Sequence, residues 1–508
     1  MNNSFSRLTR MVFAAALAVV FTSVAHAQNA TSQGDKSIPL SKVEMKNRAP
    51  VSKEILKVNL PKPYETKLSN GLTVLILENH RLPTATVQFN ISGAGAVYEP
   101  ADEPGLASIT ASMVTQGTAS RSSKQIAEEI DRLGANVGAS AAFGSGALGV
   151  NASGLSDNMD QWFALATDVL LHPNFPQDEL AKLKTRMKAG LKTQRTQPNF
   201  LASERFNRAV YGNFPAAVIS ATDESIDKIS ADDLARWHRE RWVPQNAILA
   251  IAGDVDAKAL TPKLEKWLAE WHKTDYEIPA TGNPTPTSTK KIFLIDRPNS
   301  VQTTIYMGNI GIDRRDPDYP AMVVLNQILG AGPQSRLFIN LRENKGYTYG
   351  VYSNFVSLKF AGPWRAYGDF RTDVTDGSMT ELFNEINRIS SEAVAEKELD
   401  DAKRTVVASF ALTLESPSQV LSYTTNTKIY GFPEDYWDKY PAKITAVTAA
   451  DVQRLAKKFY NANAMQIVAV GDASKIKSVM EKYGPVEVYD ANGKPASGGA
   501  SASTPGSR

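Results

Sequence analysis

The chain has 508 residues, no cysteine, and 56 basic against 53 acidic residues, for a formal net charge of +3. Without cysteine the protein has no disulfide, no thiolate metal site and no cysteine nucleophile, and its nearly balanced charge gives no reason to expect nucleic acid as a partner. A chain of this length exceeds what one hydrophobic core supports, so at least two domains are expected.

The first 27 residues predict a secretory signal peptide. Arg7 and Arg10 precede an apolar run at residues 11–21, which is shorter than the roughly 20 residues that span a bilayer. The small residues Ala25 and Ala27 favour cleavage after Ala27, and an uncleaved anchor is the alternative. We therefore expect export to a Gram-negative periplasm, and no later segment reads as a membrane span.

Composition divides the rest of the chain into five segments. Residues 28–60 are polar without a sustained period and are predicted to form an extended N-terminal arm. Residues 489–508 are dominated by Gly, Ser, Ala and Pro and are predicted to be a disordered tail. Between them lie two candidate lobes, 61–275 and 290–488, joined by a Pro/Thr-rich linker at 276–289.

The two candidate lobes contain an internal repeat. Residues 229–254 and 447–472 align without a gap at an offset of 218. Each copy begins with a hydroxyl residue, Ser230 or Thr448, followed three residues later by Asp. This pattern resembles a capping box with Asp in place of the usual Glu. An amphipathic helix, an apolar strand and a terminal Gly-Asp follow in both copies.

Other features recur at nearly the same offset. Pro198 and Pro417 each follow a long helical stretch, 219 residues apart. The recurring strands are predicted at 73–77 and 84–91 in the first copy and at 292–296 and 302–307 in the second. Several matches in the same order indicate a duplication. Hairpin-like strands, then helices, then a strand in each copy predict an α+β fold: two homologous lobes, each a mostly antiparallel sheet with helices on one face, facing each other as a half-clamp.

A segment of the first lobe has the frame of a metal site. Residues 105–118 read G-L-A-S-I-T-A-S-M-V-T-Q-G-T. This resembles the zinc helix of the insulinase/pitrilysin family, whose active members carry G-L-A-H-x-x-E-H-M-x-x-x-G-T. There, two histidines on one helix face hold a zinc and the glutamate between them acts as general base. In this chain the three chemical positions are Ser108, Ala111 and Ser112, which are poor ligands and cannot accept a proton.

The resemblance also implies a glutamate further along the chain as a third zinc ligand. Residues 180–203 contain no Asp, Glu or His, and a run of Lys and Arg there would oppose a dication. None of the five histidines forms a pair at helical spacing, and His238 is predicted to pack or to lie on the surface. We therefore expect this chain to bind no metal of its own. The run of basic residues that would oppose a dication comprises Lys182, Lys184, Arg186, Lys188 and Lys192.

A second motif lies in the C-terminal lobe, where residues 335–349 read S-R-L-F-I-N-L-R-E-N-K-G-Y-T-Y. It resembles the family's second-lobe signature S-R-L-F-x-x-L-R-E-x-x-G-x-x-Y. The resemblance implies that Arg342 and Tyr349 contact a zinc-bound substrate. A guanidinium can hold peptide carbonyls and a phenol can hydrogen-bond the developing oxyanion. Spacing alone would also fit a solvated arginine and a packing tyrosine.

Local structure around this motif can also be predicted. Arg342 should lie near the end of a helix that Gly346 breaks, and residues 347–349 should begin a strand. Tyr347 and Tyr349 would then face the same way.

A third candidate element is the run of small residues at 135–145. In the resembling family the corresponding strand is an exposed edge to which a peptide substrate adds by β-augmentation. Ala141, Ala142 and Phe143 are therefore candidate substrate-binding residues. An ordinary flexible edge strand is the equal alternative.

Three functions remain to be compared. In some bacterial members of the family, one subunit carries H-x-x-E-H and its partner keeps only the Arg/Tyr pair. The resemblance thus implies a zinc-less subunit of a periplasmic heterodimeric metallopeptidase, with zinc in a homologous partner and unfolded peptides as substrates. A non-catalytic binding or scaffold subunit is the alternative. A self-sufficient hydrolase of another class is disfavoured, since the sequence has no G-x-S-x-G and no Cys.

Overall fold

Two six-stranded sheets organise the chain, as seen in a computed structural model that describes residues 56–496. The predicted signal peptide with its cleavage site, the arm up to residue 55, and the tail from residue 497 lie outside the described residues. Within residues 56–496, no helix is long and apolar enough to cross a membrane.

The N-terminal sheet has the strand order β1-β2-β6-β3-β5-β4. Strands β2 and β6 are parallel, and every other neighbouring pair is antiparallel. Alternate residues of β3 are buried, as expected for a strand with one face on a core. The strands are β1 (Tyr64–Lys67), β2 (Thr73–Glu78), β3 (Thr84–Ser92), β4 (Asn136–Ser140), β5 (Ala147–Leu155) and β6 (Ala247–Gly253).

The C-terminal sheet repeats this plan in the order β12-β7-β11-β8-β10-β9. Its β12–β7 and β7–β11 pairs are parallel and the remaining three are antiparallel. The strands are β7 (Lys291–Asp296), β8 (Gln302–Ile310), β9 (Thr348–Ser357), β10 (Ala361–Arg371), β11 (Gln466–Gly471) and β12 (Val486–Tyr489). Both sheets are mixed and mostly antiparallel, so the predicted α+β class with two homologous lobes is confirmed.

Helices cover one face of each sheet and enclose one core per lobe. In the N-terminal lobe they are α1 (Leu106–Met113), α2 (Ser123–Leu133), α3 (Met159–Leu171), α4 (Gln177–Gln194), α5 (Pro198–Tyr211), α6 (Asp223–Lys228), α7 (Ala231–Arg241) and α8 (Ala257–Trp267). In the C-terminal lobe they are α9 (Tyr319–Leu329), α10 (Arg336–Phe338), which continues as a π-helical turn (Ile339–Asn344), α11 (Thr375–Ser391), α12 (Glu396–Thr413), α13 (Pro417–Tyr430), α14 (Tyr440–Thr445), α15 (Ala449–Phe459) and α16 (Ala473–Glu481).

The prediction that β2 pairs with β3, and β7 with β8, as hairpins is wrong, although all four strands are present. β6 lies between β2 and β3, and β11 lies between β7 and β8. The reason is burial: β6 and β11 read as continuous apolar runs and are covered on both faces. Such a strand is stable only in the interior of a sheet, so β6 separates β2 from β3 and β11 separates β7 from β8.

Each lobe also places one helix on the other lobe's sheet. Phe206 and Val210 of α5 pack against Tyr306 and Val468 of the C-terminal sheet. Reciprocally, α13 packs its Val420 and Leu421 against β2 and β6. Helices from the same lobe therefore cover one face of each sheet, and a single helix from the opposite lobe covers part of the other face.

The predicted helix starts of the repeat are confirmed. Ser230 Oγ accepts from Asp233 N at 3.2 Å, and Asp233 Oδ2 accepts from Ser230 N at 2.9 Å. The equivalent pair in the second copy, Thr448 and Asp451, makes both bonds at 3.1 Å. Pro198 and Pro417 are the first residues of α5 and α13, where the missing N–H costs nothing.

Both ends of the described chain cross to the opposite lobe. Leu60 of the predicted arm donates its N–H to Asp438 Oδ1 at 3.0 Å. Residues 489–496, assigned to the disordered tail, instead form a turn against α5, so this part of the tail prediction is wrong. The guanidinium of Arg205 lies 3.5 Å from the Tyr489 ring centroid and donates to Gly493 O at 3.2 Å. Stacking and hydrogen bonding give this short polar segment a fixed place.

Candidate active-site elements

Helix α1 carries the degenerate metal motif and is capped by a half-buried carboxylate. Glu99 Oε2 accepts from Gly105 N at 2.9 Å and Oε1 accepts from Ala107 N at 2.6 Å. These bonds satisfy N–H groups that the first helical turn leaves without partners. Burial nevertheless raises the pKa of Glu99 to about 7. Nothing local in the sequence marks Glu99 as a cap, because it lies six residues before Gly105, the N-cap residue of the helix.

The three chemical positions of α1 do not fit a zinc ion. Ser108 Oγ donates to Gly105 O at 3.0 Å, and Ser112 Oγ donates to Ser108 O at 2.8 Å. Ala111 is buried and has no polar atom in its side chain. Both hydroxyls are thus bonded to their own helix. In the part of the chain that the structure describes, no cluster of three or more His, Asp or Glu side chains has the arrangement of a metal site.

The basic stretch of α4 is paired with nearby acids. Lys188 forms an ion pair with Asp227, and Lys184 Nζ donates to Asp227 O at 3.0 Å. Lys182 lies 3.1 Å from Glu179 on its own helix. These lysines tie α4 to α6 and to its own first turn. The segment in which the resemblance implies a third zinc ligand therefore forms ion pairs and hydrogen bonds with nearby groups instead.

His238 is a packing residue, within the range of roles predicted for it. Its Nε2 lies 2.7 Å from Leu170 O, and its ring centroid lies 4.8 Å from that of Trp242. Burial lowers the pKa of His238 to about 4, so the ring is neutral and donates one hydrogen bond to the carbonyl.

Arg342 lies on the π-helical turn that follows α10. Its guanidinium carbon is 4.7 Å from the Phe338 ring centroid and 5.2 Å from that of Tyr349. One nitrogen donates to Glu343 at 3.1 Å. The turn ends at Asn344, and Gly346 follows with φ of +62°. The expected helix end and break are present, and the cation–π contact places the arginine beside the tyrosine.

Buried polar contacts hold this turn in place. Arg336 makes two bonds to Glu398, at 2.7 and 2.8 Å. Asn340 donates to Glu385 at 2.8 Å and to Glu381 at 3.0 Å. A π-helical turn is uncommon and often marks a functional site. The signature therefore contains both the exposed pair and the contacts that fix its position.

Tyr349 projects from an irregularity at the start of β9. Between the pairs Phe370↔Thr348 and Gly368↔Val351, β9 has one residue more than β10. This bulge interrupts the alternation of side chains, and bulges often reorient a residue in this way. Tyr349 is 89% exposed. Tyr347, expected to face the same way, instead packs partly buried on the C-terminal core. That expectation is wrong because of the bulge, which the sequence pattern does not show.

β4 is one of the two edge strands of the N-terminal sheet and pairs with β5. A groove of about 400 Å³ runs along it, lined by backbone and small side chains of β4 together with Thr86, Asn151 and Ser153. Ala141, Ala142 and Phe143 lie beyond the strand, in the turn that follows Ser140. The prediction that they lie on the edge strand is therefore wrong. The strand is Asn136–Ser140, and the chain turns after it, as the φ of +72° at Gly144 shows.

Comparisons with known proteins agree with this arrangement. Residues 73–221 match the profile of the insulinase family, peptidase family M16, and residues 228–406 match that of the peptidase M16 inactive domain. An uncharacterized zinc protease, YmxG, of Bacillus subtilis is 24% identical over 77% of this chain and 94% of its own length. A Helicobacter pylori relative described as a non-peptidase homolog, YmxG, is 24% identical over 80% of this chain and 93% of its own length.

Solved structures show the same fold. The peptidase M16 inactive domain from Pseudomonas fluorescens superposes with a TM-score of 0.73 and 28% identity, covering 82% of this chain and 98% of its own. A protease from Helicobacter pylori gives a TM-score of 0.74 at 18% identity, over 81% of this chain and all of its own. With two adjoining family profiles and a two-lobed fold in common, the chain belongs to the insulinase family, peptidase family M16.

Proposed function

We propose that this chain is the zinc-less subunit of a periplasmic heterodimeric metallopeptidase, and that Arg342 and Tyr349 complete a zinc site carried by a homologous partner. One observation carries the proposal. The positions of the zinc motif hold only hydroxyl and methyl side chains, whereas Tyr349 is 89% exposed beside Arg342. A scaffold gains no stability from an aromatic ring left in solvent.

The chemistry needed from such a pair is electrostatic. Peptide hydrolysis places negative charge on the carbonyl oxygen, and a phenol O–H aimed at that oxygen lowers the barrier by about 2.7–4 kcal/mol. The guanidinium of Arg342 would hold neighbouring carbonyls of the substrate. Zinc in the partner would supply the activated water. In this proposal the chain contributes binding and charge stabilisation, and the partner contributes the nucleophile and the base.

The open edge of the N-terminal sheet supports a peptide substrate. β4 pairs with β5 on one side only, so the backbone groups that point away from β5 are open to a further strand along the groove. An unfolded peptide can add there as a further strand, through main-chain hydrogen bonds that do not depend on its sequence. We place this contact at Asn136–Ser140.

Reconstitution tests the proposal. The chain is purified alone, with a homologous chain that carries H-x-x-E-H, and as the mixture, and each sample is assayed for peptide cleavage and zinc content. We expect neither chain alone to cleave and the mixture to contain zinc and to cleave. Tyr349→Phe should lower turnover about 10²–10³-fold. Tyr64→Phe, a similar change on an exposed strand tyrosine, should leave turnover unchanged.

A scaffold role is the second candidate, since one relative is described as a non-peptidase homolog. It gains support if the double variant Arg342→Ala/Tyr349→Phe assembles with the partner and cleaves as wild type does. Full activity of the partner without this chain would refute the proposal.

A further inference from the structure

Three tyrosines form a continuous row across the inner face of the C-terminal sheet, the face that α5 of the N-terminal lobe covers in part. Tyr306 on β8 is directly opposite Tyr367 on β10, which is directly opposite Tyr352 on β9. The ring centroids are 5.5 and 6.2 Å apart, within the range of favourable aromatic pairs. We call these three residues the tyrosine row.

The row begins under the opposite lobe and becomes more exposed toward the sheet edge. Tyr306 is buried against Phe206 of α5, with ring centroids 6.2 Å apart. Tyr367 and Tyr352 are half-buried. Two neighbouring rings thus stay accessible while the third is anchored by the lobe contact.

The row leads directly to the proposed catalytic pair. The Tyr352 ring lies 5.7 Å from Phe338, whose ring lies 4.7 Å from the Arg342 guanidinium. Tyr352 follows Tyr349 by three residues on one strand, a distance of at most about 10 Å. A peptide with its scissile bond at Tyr349 would therefore bring a side chain about three residues away onto the row.

One glycine and two hydrogen-bonded charged residues border the tyrosine row. A Cβ at Gly350 would lie 2.9 Å from the Tyr352 ring, so the glycine gives that ring its room. Arg365 lies over Tyr367 at 5.3 Å and donates to Asn354 at 3.1 Å. Asp369 accepts from Thr304 at 2.5 Å. Both flanking charged groups are held by neutral hydrogen-bond partners within the protein, and the rings of Tyr352 and Tyr367 form half-buried aromatic surface beside them.

We infer that the tyrosine row is a specificity subsite for an aromatic side chain of an extended peptide, about three residues from the scissile bond. The inference rests on the proposed function for the position of that bond. Binding to the row is a property of this chain alone. Aromatic stacking supplies the preference.

Binding is measured first without any partner. The probe is a ten-residue Gly/Ser peptide with one 4-fluorophenylalanine, followed by ¹⁹F line broadening, with unlabelled Phe and Ala peptides as competitors. We expect the Phe peptide to compete better than the Ala peptide. The double variant Tyr352→Ala/Tyr367→Ala should bind the probe about 25-fold more weakly, from roughly fivefold for each ring. Tyr64→Ala, on edge strand β1 of the N-terminal sheet, should bind as wild type.

Folding and partner effects are controlled separately. Tyr352→Phe and Tyr367→Phe keep the rings and should retain the preference, while circular dichroism checks that the alanine variant is folded. Equal binding of Phe and Ala peptides to wild type, or a wild-type preference in the folded alanine variant, overturns the inference. Displacement of the probe by the zinc-bearing partner also overturns it, because the row would then be subunit interface. The variant Tyr349→Phe distinguishes the two proposals. Cleavage measured with the partner tests the role of Tyr349, whereas the preference of this chain alone for the Phe peptide tests the tyrosine row and should be unchanged.

Discussion

The cap of α1 makes a defined contribution to the pH dependence of stability. Burial raises the pKa of Glu99 from its ordinary value of 4.5 to about 7. The native state therefore holds this proton more tightly than the unfolded chain does. Its contribution is complete below pH 4.5 and is lost as the pH rises through about 7. At about 1.36 kcal/mol for each pKa unit, the loss is at most about 3 kcal/mol.

Glu99→Gln removes this dependence, because an amide of the same shape cannot ionise. Urea unfolding followed by tryptophan fluorescence measures it, since five of the seven tryptophans lie in the N-terminal lobe. We expect wild type to lose more stability than Glu99→Gln between pH 4.5 and about 7. Glu128→Gln, on the exposed face of α2, should behave as wild type. An equal loss in wild type and Glu99→Gln would refute the reasoning.

Two further predictions concern the packing of the lobes. Burial lowers the pKa of His238 from 6.5 to about 4, so its contribution is complete above pH 6.5 and is lost as the pH falls through about 4. His238→Ala, which copies Ala456 of the second repeat, should flatten this acid limb in the same unfolding assay; an unchanged limb would contradict it. Leu421→Ala, at the contact of α13 with the opposite sheet, should cost about 2–4 kcal/mol in urea unfolding. Leu412→Ala, which is 67% exposed, should change stability by less than about 0.5 kcal/mol, and an equal effect of both would argue against the packing role.

The retained frame of the zinc motif has a structural explanation. Leu106, Ala107, Ile109 and Met113 of α1 are all buried in the N-terminal core. Gly105 adopts a φ of +105°, and a Cβ there would lie 2.9 Å from the Ala221 Cβ. These residues are needed for packing whether or not a metal binds. A chain can therefore lose the ligands of the motif while the fold keeps its helix.

Much of this architecture could be read from local patterns. The repeat, the capping boxes at Ser230 and Thr448, and the prolines that start α5 and α13 are encoded by neighbouring residues. The identities at Ser108, Ala111 and Ser112 leave this motif without the imidazoles and the carboxylate of H-x-x-E-H wherever the helix lies, because ligation needs particular side chains. The break at Gly346 follows from backbone preference. In each case the interaction spans only a few residues, so the local sequence is sufficient.

Long-range packing decided the rest. The insertion of β6 between β2 and β3 depends on burial of both faces of that strand, which only the assembled lobes provide. The bulge that exposes Tyr349 depends on the register of β9 against β10, and the tyrosine row on the register of three strands. Glu99 caps α1 through a loop. These features arise from contacts between residues distant in the chain, whose energies no local pattern records, and they set the geometry around Tyr349.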